Sequence, residues 1–166
     1  IGLGIPAEPL FRSLCLSKII VAGGRAAVSD SVVDELGSLC PNVERVAGAT
    51  RVDTSLNLYR RGSGWGSTAI LATASNFADA LSISSYAYAT KAPVFLVDSN
   101  GLTNNQQSAL SNGRFSRIVV VGGVNAVSEP VAAKAQSITG AQLTRLSGAT
   151  RYETSERIAR WTTGHG

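Results

Sequence analysis

Residues 45–60, RVAGATRVDTSLNLYR, return one hundred positions later as RLSGATRYETSERIAR, residues 145–160, with eight of the sixteen positions identical. A second echo pairs IIVAGGRAAVSDSVVDEL, starting at Ile19, with IVVVGGVNAVSEPVAAKA, starting at Ile118, at an offset of 99. Gly2-Leu3 stand the same 99 positions before Gly101-Leu102. A period of about one hundred residues constrains the fold more than any compositional figure, because each unit must be a small module that stacks on its neighbours. The repeat frame divides the chain into the closing part of one unit (residues 1–47), a complete unit (48–147) and the opening of a third (148–166).

Within a unit, helix and strand signals alternate. Thr50-x-x-Asp53 and Thr150-x-x-Glu153 are capping boxes that open helices, and Val52, Ser55, Leu56 and Tyr59 follow the first at helical spacing. TAILATA (68–74) reads as a buried strand. Asn76 is expected to cap one helix over FADALSISSYAYAT, with Asp79 in its first turn and Phe77, Ala80, Leu81, Ser84, Ala87 and Tyr88 facing inward. APVFLVD (92–98) is a strand, Thr103-x-x-Gln106 a further capping box, Gly113 a helix terminator and RIVVVGG (117–123) a third strand. Ser128 caps the last helix, and QLTRL (142–146) closes the unit as an edge strand. Continuous Val/Ile/Leu strands alternating with helices give an α/β fold, tandem Rossmann-like units with a parallel sheet flanked by helices.

The chemistry of most enzyme classes is missing from this pattern. GGRAAVS and GGVNAVS, after Gly23-Gly24 and Gly122-Gly123, lack the second and third glycines of a dinucleotide fingerprint and read as tight strand exits. No Gly-x-Ser-x-Gly elbow is present, GSGWGS (62–67) reads as a flexible loop, and the single His165 sits in a terminal tail, a poor place for a base. Cys15 and Cys40 match no zinc spacing, so neither metal nor cofactor is expected. They flank a strand and its crossover helix, which leaves two alternatives open, a disulfide or two buried thiols. No apolar run approaches the length of a membrane span. The sequence starts at Ile1 and contains no Met, so a longer parent protein is expected and the lack of a leader says nothing about secretion.

The net charge of +4 is carried by twelve Arg and three Lys. A guanidinium grips phosphate or carboxylate by two-point contact, so the bias points to an anionic partner. Arg51 and Arg151 stand directly after a capping Thr, where a cation opposes the helix dipole at a cost of about 0.3–1 kcal/mol. Such a repeated placement calls for a compensating partner, either a carboxylate such as Asp79 or Asp53, or a bound anion.

GATRxxT (Arg51, Asp53, Thr54; Arg151, Glu153, Thr154), ATASNFADALSIS (72–84), APVFLV (92–97) and IVVVGGVNAVS (118–128) together resemble the cell wall-binding repeat type 2 family of Gram-positive surface proteins. The resemblance implies a non-catalytic module of a secreted, surface-located protein, held non-covalently on an anionic wall polymer such as teichoic acid or acidic polysaccharide. It implies three repeats in a pseudo-threefold block, and polymer contact through the apolar triplet Val94, Phe95 and Leu96. Arg45, Arg51, Arg145 and Arg151 are the candidate anion contacts, and Thr50, Asn76, Asp79, Gly122, Gly123 and Thr150 the structural residues of the repeat. Self-association through unfilled repeat faces is expected; nucleic acid and membrane insertion are not. The competing readings are an α/β enzyme domain handling glycosyl groups or nucleotides, and a pure spacer.

Overall fold

The computed structural model describes residues 16–164; Cys15 and His165 lie outside that range. In chain order the elements are β1 (Ile19–Ala22), α1 (Asp30–Leu39), β2 (Val43–Val46), α2 (Arg51–Arg61), β3 (Thr68–Thr73), α3 (Ala78–Ser82), α4 (Ser84–Thr90), β4 (Val94–Val97), α5 (Asn104–Asn112), β5 (Arg117–Val121), α6 (Glu129–Thr139), β6 (Gln142–Leu146) and α7 (Arg151–Thr163). Strands β4-β3-β5-β6 form one parallel sheet in that spatial order, and β1-β2 form a separate parallel pair. The α/β class and the strands expected from the sequence are therefore present.

The two central strands, β3 and β5, are buried on both faces, which is why they are apolar without alternation. All six residues of β3 are buried. Leu71, Ile118 and Val120 point to one face, where they meet Leu56 of α2, Leu110 of α5 and Ala132 of α6. Ile70, Val119 and Val121 point to the other, against Ile83, Tyr86 and Ile158 of α7. Phe95, fully buried between Tyr59 and Phe115 at ring-centroid distances of 4.9 and 6.2 Å, anchors the first face and contributes about 2–3 kcal/mol through burial alone. The outer side of β4 is closed by side chains: Leu96 N–H donates to Ser55 Oγ (3.1 Å), and the Leu96 carbonyl accepts from Gln106 Nε2 (2.8 Å). Two buried polar residues thus occupy backbone groups that an open edge strand would offer to another chain.

Two local expectations are overturned. The segment after Asn76 is two short helices broken at Ile83, and Asn76 Oδ1 accepts from Ala78 N–H (3.0 Å) in a turn ahead of the first. The break changes the facing: Ile83 and Tyr86 go into the core, while Phe77, Leu81 and Tyr88, expected inside, are exposed. The GSGWGS loop is held rather than loose. Trp65 stacks on Tyr59 (5.7 Å, 27°) and donates from Nε1 to the Tyr59 carbonyl (3.0 Å). Its ring lies so close over Gly62 that a Cβ there would stand 2.2 Å from it.

Candidate functional site

The repeated motif GATRxxT folds as one device in both copies. Its glycine lets the chain turn back onto the helix it is about to enter; a Cβ on Gly48 would stand 2.3 Å from Asp53 Cβ, and one on Gly148 2.3 Å from Glu153 Cβ. Thr54 and Thr154 accept the glycine N–H (3.0 and 2.9 Å) through Oγ1. Thr50 and Thr150 accept from the N–H groups of Asp53 and Glu153. Asp53 completes the capping box at Thr50 N–H (3.0 Å), whereas the Glu153 carboxylate accepts from Ala149 N–H (3.0 Å) instead. Every polar residue of the motif is consumed by the turn except the arginine.

Arg45 and Arg145, one turn upstream in β2 and β6, serve a different end. Arg45 Nη1 donates to the carbonyls of Gly23 (2.9 Å) and Val28 (2.8 Å), and Arg145 Nη1 to those of Gly122 (3.0 Å) and Val127 (2.8 Å). Each also pairs at 3.2 Å with the acid that opens the helix before its strand, Asp30 or Glu129. These mostly buried guanidiniums brace the loop after the Gly-Gly pair. The signal was present in the sequence: an arginine and the helix-opening acid recur together in both copies.

That loop, the GATR turn and neighbouring elements enclose a cleft at each copy. The first, about 680 Å³, is lined by Gly24, Ala27, Gly48, Thr50, Arg51 and Leu96 among others. The second, about 550 Å³, is lined by the counterparts Gly123, Ala126, Gly148, Thr150 and Arg151. Arg51 spends Nη1 on the Ala74 carbonyl (3.1 Å), so its partner is neither Asp53 nor Asp79, and the rest of its donor fork remains available. Leu96 lines the first cleft and Val94 is half-buried beside it, but Phe95, the middle of the triplet, is a core residue with no exposed surface.

Asp79 enters the second cleft from the first turn of α3. Its Oδ2 lies 2.6 Å from where a Cβ on Gly122 would stand, and Gly122 has φ +102°, so glycine is required there both for backbone conformation and for the carboxylate's approach. Burial pushes the Asp79 carboxyl above its usual range, and no hydrogen bond or ion pair among the described residues opposes the shift. Cys40 is a buried free thiol that donates to the Leu16 carbonyl (3.3 Å); the Cys15 half of the possible bridge lies outside the described residues. Among the described residues no group of three His, Cys, Asp or Glu could hold a metal ion, and no helix is long and apolar enough to cross a membrane.

Known proteins carry the same pattern. Residues 45–132, more than half of the chain, match the family model Cell wall binding domain 2. Over 119 residues the chain is 31% identical to N-acetylmuramoyl-L-alanine amidase LytC of Bacillus subtilis, covering 72% of this chain and 24% of that protein. It is equally identical over 119 residues to the Amidase enhancer of the same organism, covering 70% of this chain and 16% of that one. Among solved structures, Cwp8 from Clostridium difficile superposes with a TM-score of 0.76 at 32% identity, over 88% of this chain and 24% of that one. Cwp6 from the same organism superposes with a TM-score of 0.86 at 24% identity, over 95% of this chain and 26% of that one, and so supports the fold. The chain spans a quarter or less of the curated relatives it matches. With the repeated GATR turn, the braced Gly-Gly loop and the parallel sheet all in place, the chain belongs to the Cell wall binding domain 2 family.

Proposed function

We propose that this module anchors a secreted protein non-covalently to an anionic polymer of the Gram-positive cell wall, without catalysis of its own. The observation that carries the reading is the recurrence of one cleft with one arginine, Arg51 or Arg151, at the same place on the rim, the only motif residue the turn leaves unused. A cation in the first helical turn is unfavourable on its own and becomes favourable with an anion in the cleft. Two modest sites on one chain gain affinity by acting on the same polymer, and their charge makes binding salt-sensitive over a screening length of about 8–10 Å. Arg45 and Arg145 contribute by shaping the clefts, and Leu96 by offering an apolar wall to the polymer backbone. The relatives named above include an amidase, whose activity is a property of that protein; the clefts here contain no convergent acid–base pair for hydrolysis.

Purified walls test the reading. The module sediments with intact walls and stays in solution once the anionic polymer has been extracted. Binding that survives extraction points to the peptidoglycan itself, absence of binding throughout to a spacer, and altered wall material to an enzyme. We also propose that repeat faces mediate self-association: among the described residues β1 pairs with β2 alone and α1 buries no residue. A single-chain mass by light scattering at micromolar concentration contradicts that part.

A further inference from the structure

Each cleft is lined by one arginine of the repeated turn. Among the described residues Arg51 is the only charged one lining the first, whose other walls are largely apolar. The second is lined by Arg151 and Asp79, together with Ser75, Asn76 and Asn125. It also occupies a privileged place in the topology. The chain leaves β3 for β4 on one side of the sheet and returns to β5 on the other, so the order β4-β3-β5-β6 reverses between β3 and β5. The second cleft opens beyond the carboxyl ends of those two strands, with Thr73 and Ser75 from one and Gly123 from the other, which is where open α/β sheets bind ligands.

We propose that the second cleft is selective for a polymer unit carrying both an anionic group and a protonated amine, such as a polyol phosphate bearing an aminoacyl ester or amino sugar. Arg151 faces the phosphate and Asp79 the ammonium. This rests on the anchoring reading and sharpens it.

Three observations bear on the assignment. Asp79 and Arg151 lie across one cleft without forming a direct ion pair, so a bridging ligand can satisfy both. Gly122 leaves room for the Asp79 carboxylate, whose Oδ2 lies 2.6 Å from where a Cβ would stand, whereas at the equivalent Gly23 the near atom is Ala27 Cβ, at 3.1 Å. Asp79 stands in the first turn of α3, and no hydrogen bond among the described residues involves its carboxylate. A half-desolvated carboxylate without a donor is costly, and an ammonium in the cleft removes that cost.

The test uses glycerol phosphate oligomers in three forms: bare, carrying aminoacyl esters, and carrying the same esters with the amine acetylated. Calorimetric titration of the chain is expected to show roughly tenfold tighter binding of the free-amine oligomer than of the acetylated one, the size of a charge-assisted hydrogen bond. Asp79→Asn, which keeps the side-chain shape, is expected to abolish that preference, bringing the free-amine and acetylated oligomers within about twofold of each other. Equal binding of free-amine and acetylated oligomers by the native chain, or a preference that survives Asp79→Asn, overturns the inference and leaves the anchoring reading standing. Failure of all three oligomers to bind overturns both. The acetylated probe needs no variant, so a misfolded Asp79→Asn protein does not blunt the test.

Discussion

Helices α1 and α6 come from segments related by 99 positions and open with the same Ser-acid pair, Ser29-Asp30 and Ser128-Glu129. α6 buries Val131, Ala132 and Ala135 against a four-stranded sheet. α1 presents Val32, Val33 and Leu36 at the matching positions and buries none of them. The strands beneath show the same contrast, since β5 pairs with both β3 and β6 and is almost wholly buried, while among the described residues β1 pairs with β2 alone and exposes Ile20. Local pattern specifies the element, and the strands laid beside it within its own sheet decide whether its apolar face is covered. The clefts repeat the lesson at the level of function. One motif builds both rims, and in the second Asp79, from the first turn of α3, adds a carboxylate to the lining.

Substituting the paired glycines probes this contrast most strongly. Gly122→Ala forces a side chain onto φ +102° and into both Asp79 Oδ2 and Ala126 Cβ, and is expected to cost about 2–5 kcal/mol. Gly23→Ala meets strain at φ +124° but a lighter contact, and is expected to cost about 1–3 kcal/mol. Urea unfolding midpoints check the order, and adding Asp79→Ala should recover part of the Gly122→Ala loss but none of the Gly23→Ala loss. Equal costs without rescue would mean that Asp79 does not define the second cleft.

A smaller difference is expected for the bracing arginines. Arg145→Ala removes donors from two carbonyls beside a buried strand, at a cost of about 2–3 kcal/mol. Arg45→Ala breaks the same contacts beside the exposed pair β1-β2, so its main effect should be faster amide exchange between Gly23 and Val28.

The smallest effect is a pH dependence confined to the first copy. Arg61, together with Lys18, holds the Glu44 carboxyl down to about 2 from an ordinary 4.5. The native state therefore binds this proton more weakly than the unfolded chain. The stabilisation is fully present above pH 4.5 and fades as pH falls from 4.5 towards 2. Because Glu44 is solvent-exposed the contribution is small, and it should appear as faster exchange in β1 and β2 with β5 and β6 unaffected. Loss of protection in both pairs together would show that the copies do not respond separately.

Much of this was legible in the sequence, for identifiable reasons. Repetition of Gly-Ala-Thr-Arg marked the turn because each residue type has one steric or hydrogen-bonding task there. The strands were readable because burial on both faces leaves continuous apolar runs. The segment after Asn76 misled because a break at Ile83 shifts the helical phase, and periodicity cannot register a phase change that falls between two short helices. Trp65 was read as part of a loose loop because what fixes it is Tyr59, a contact that spacing does not reveal. Nor could the sequence separate four similar arginines into two that brace loops and two that line clefts; that division depends on where Gly23, Val28, Gly122 and Val127 aim their carbonyls.

The central claim is that Arg51 and Arg151 hold the anionic polymer, and affinity for purified walls tests it most directly. Arg51→Ala and Arg151→Ala are each expected to weaken binding roughly tenfold, the size of one charge-assisted contact. The double variant should lose wall binding and most of its salt dependence while keeping the native unfolding midpoint. A folded double variant that binds walls as tightly as the native chain contradicts the account.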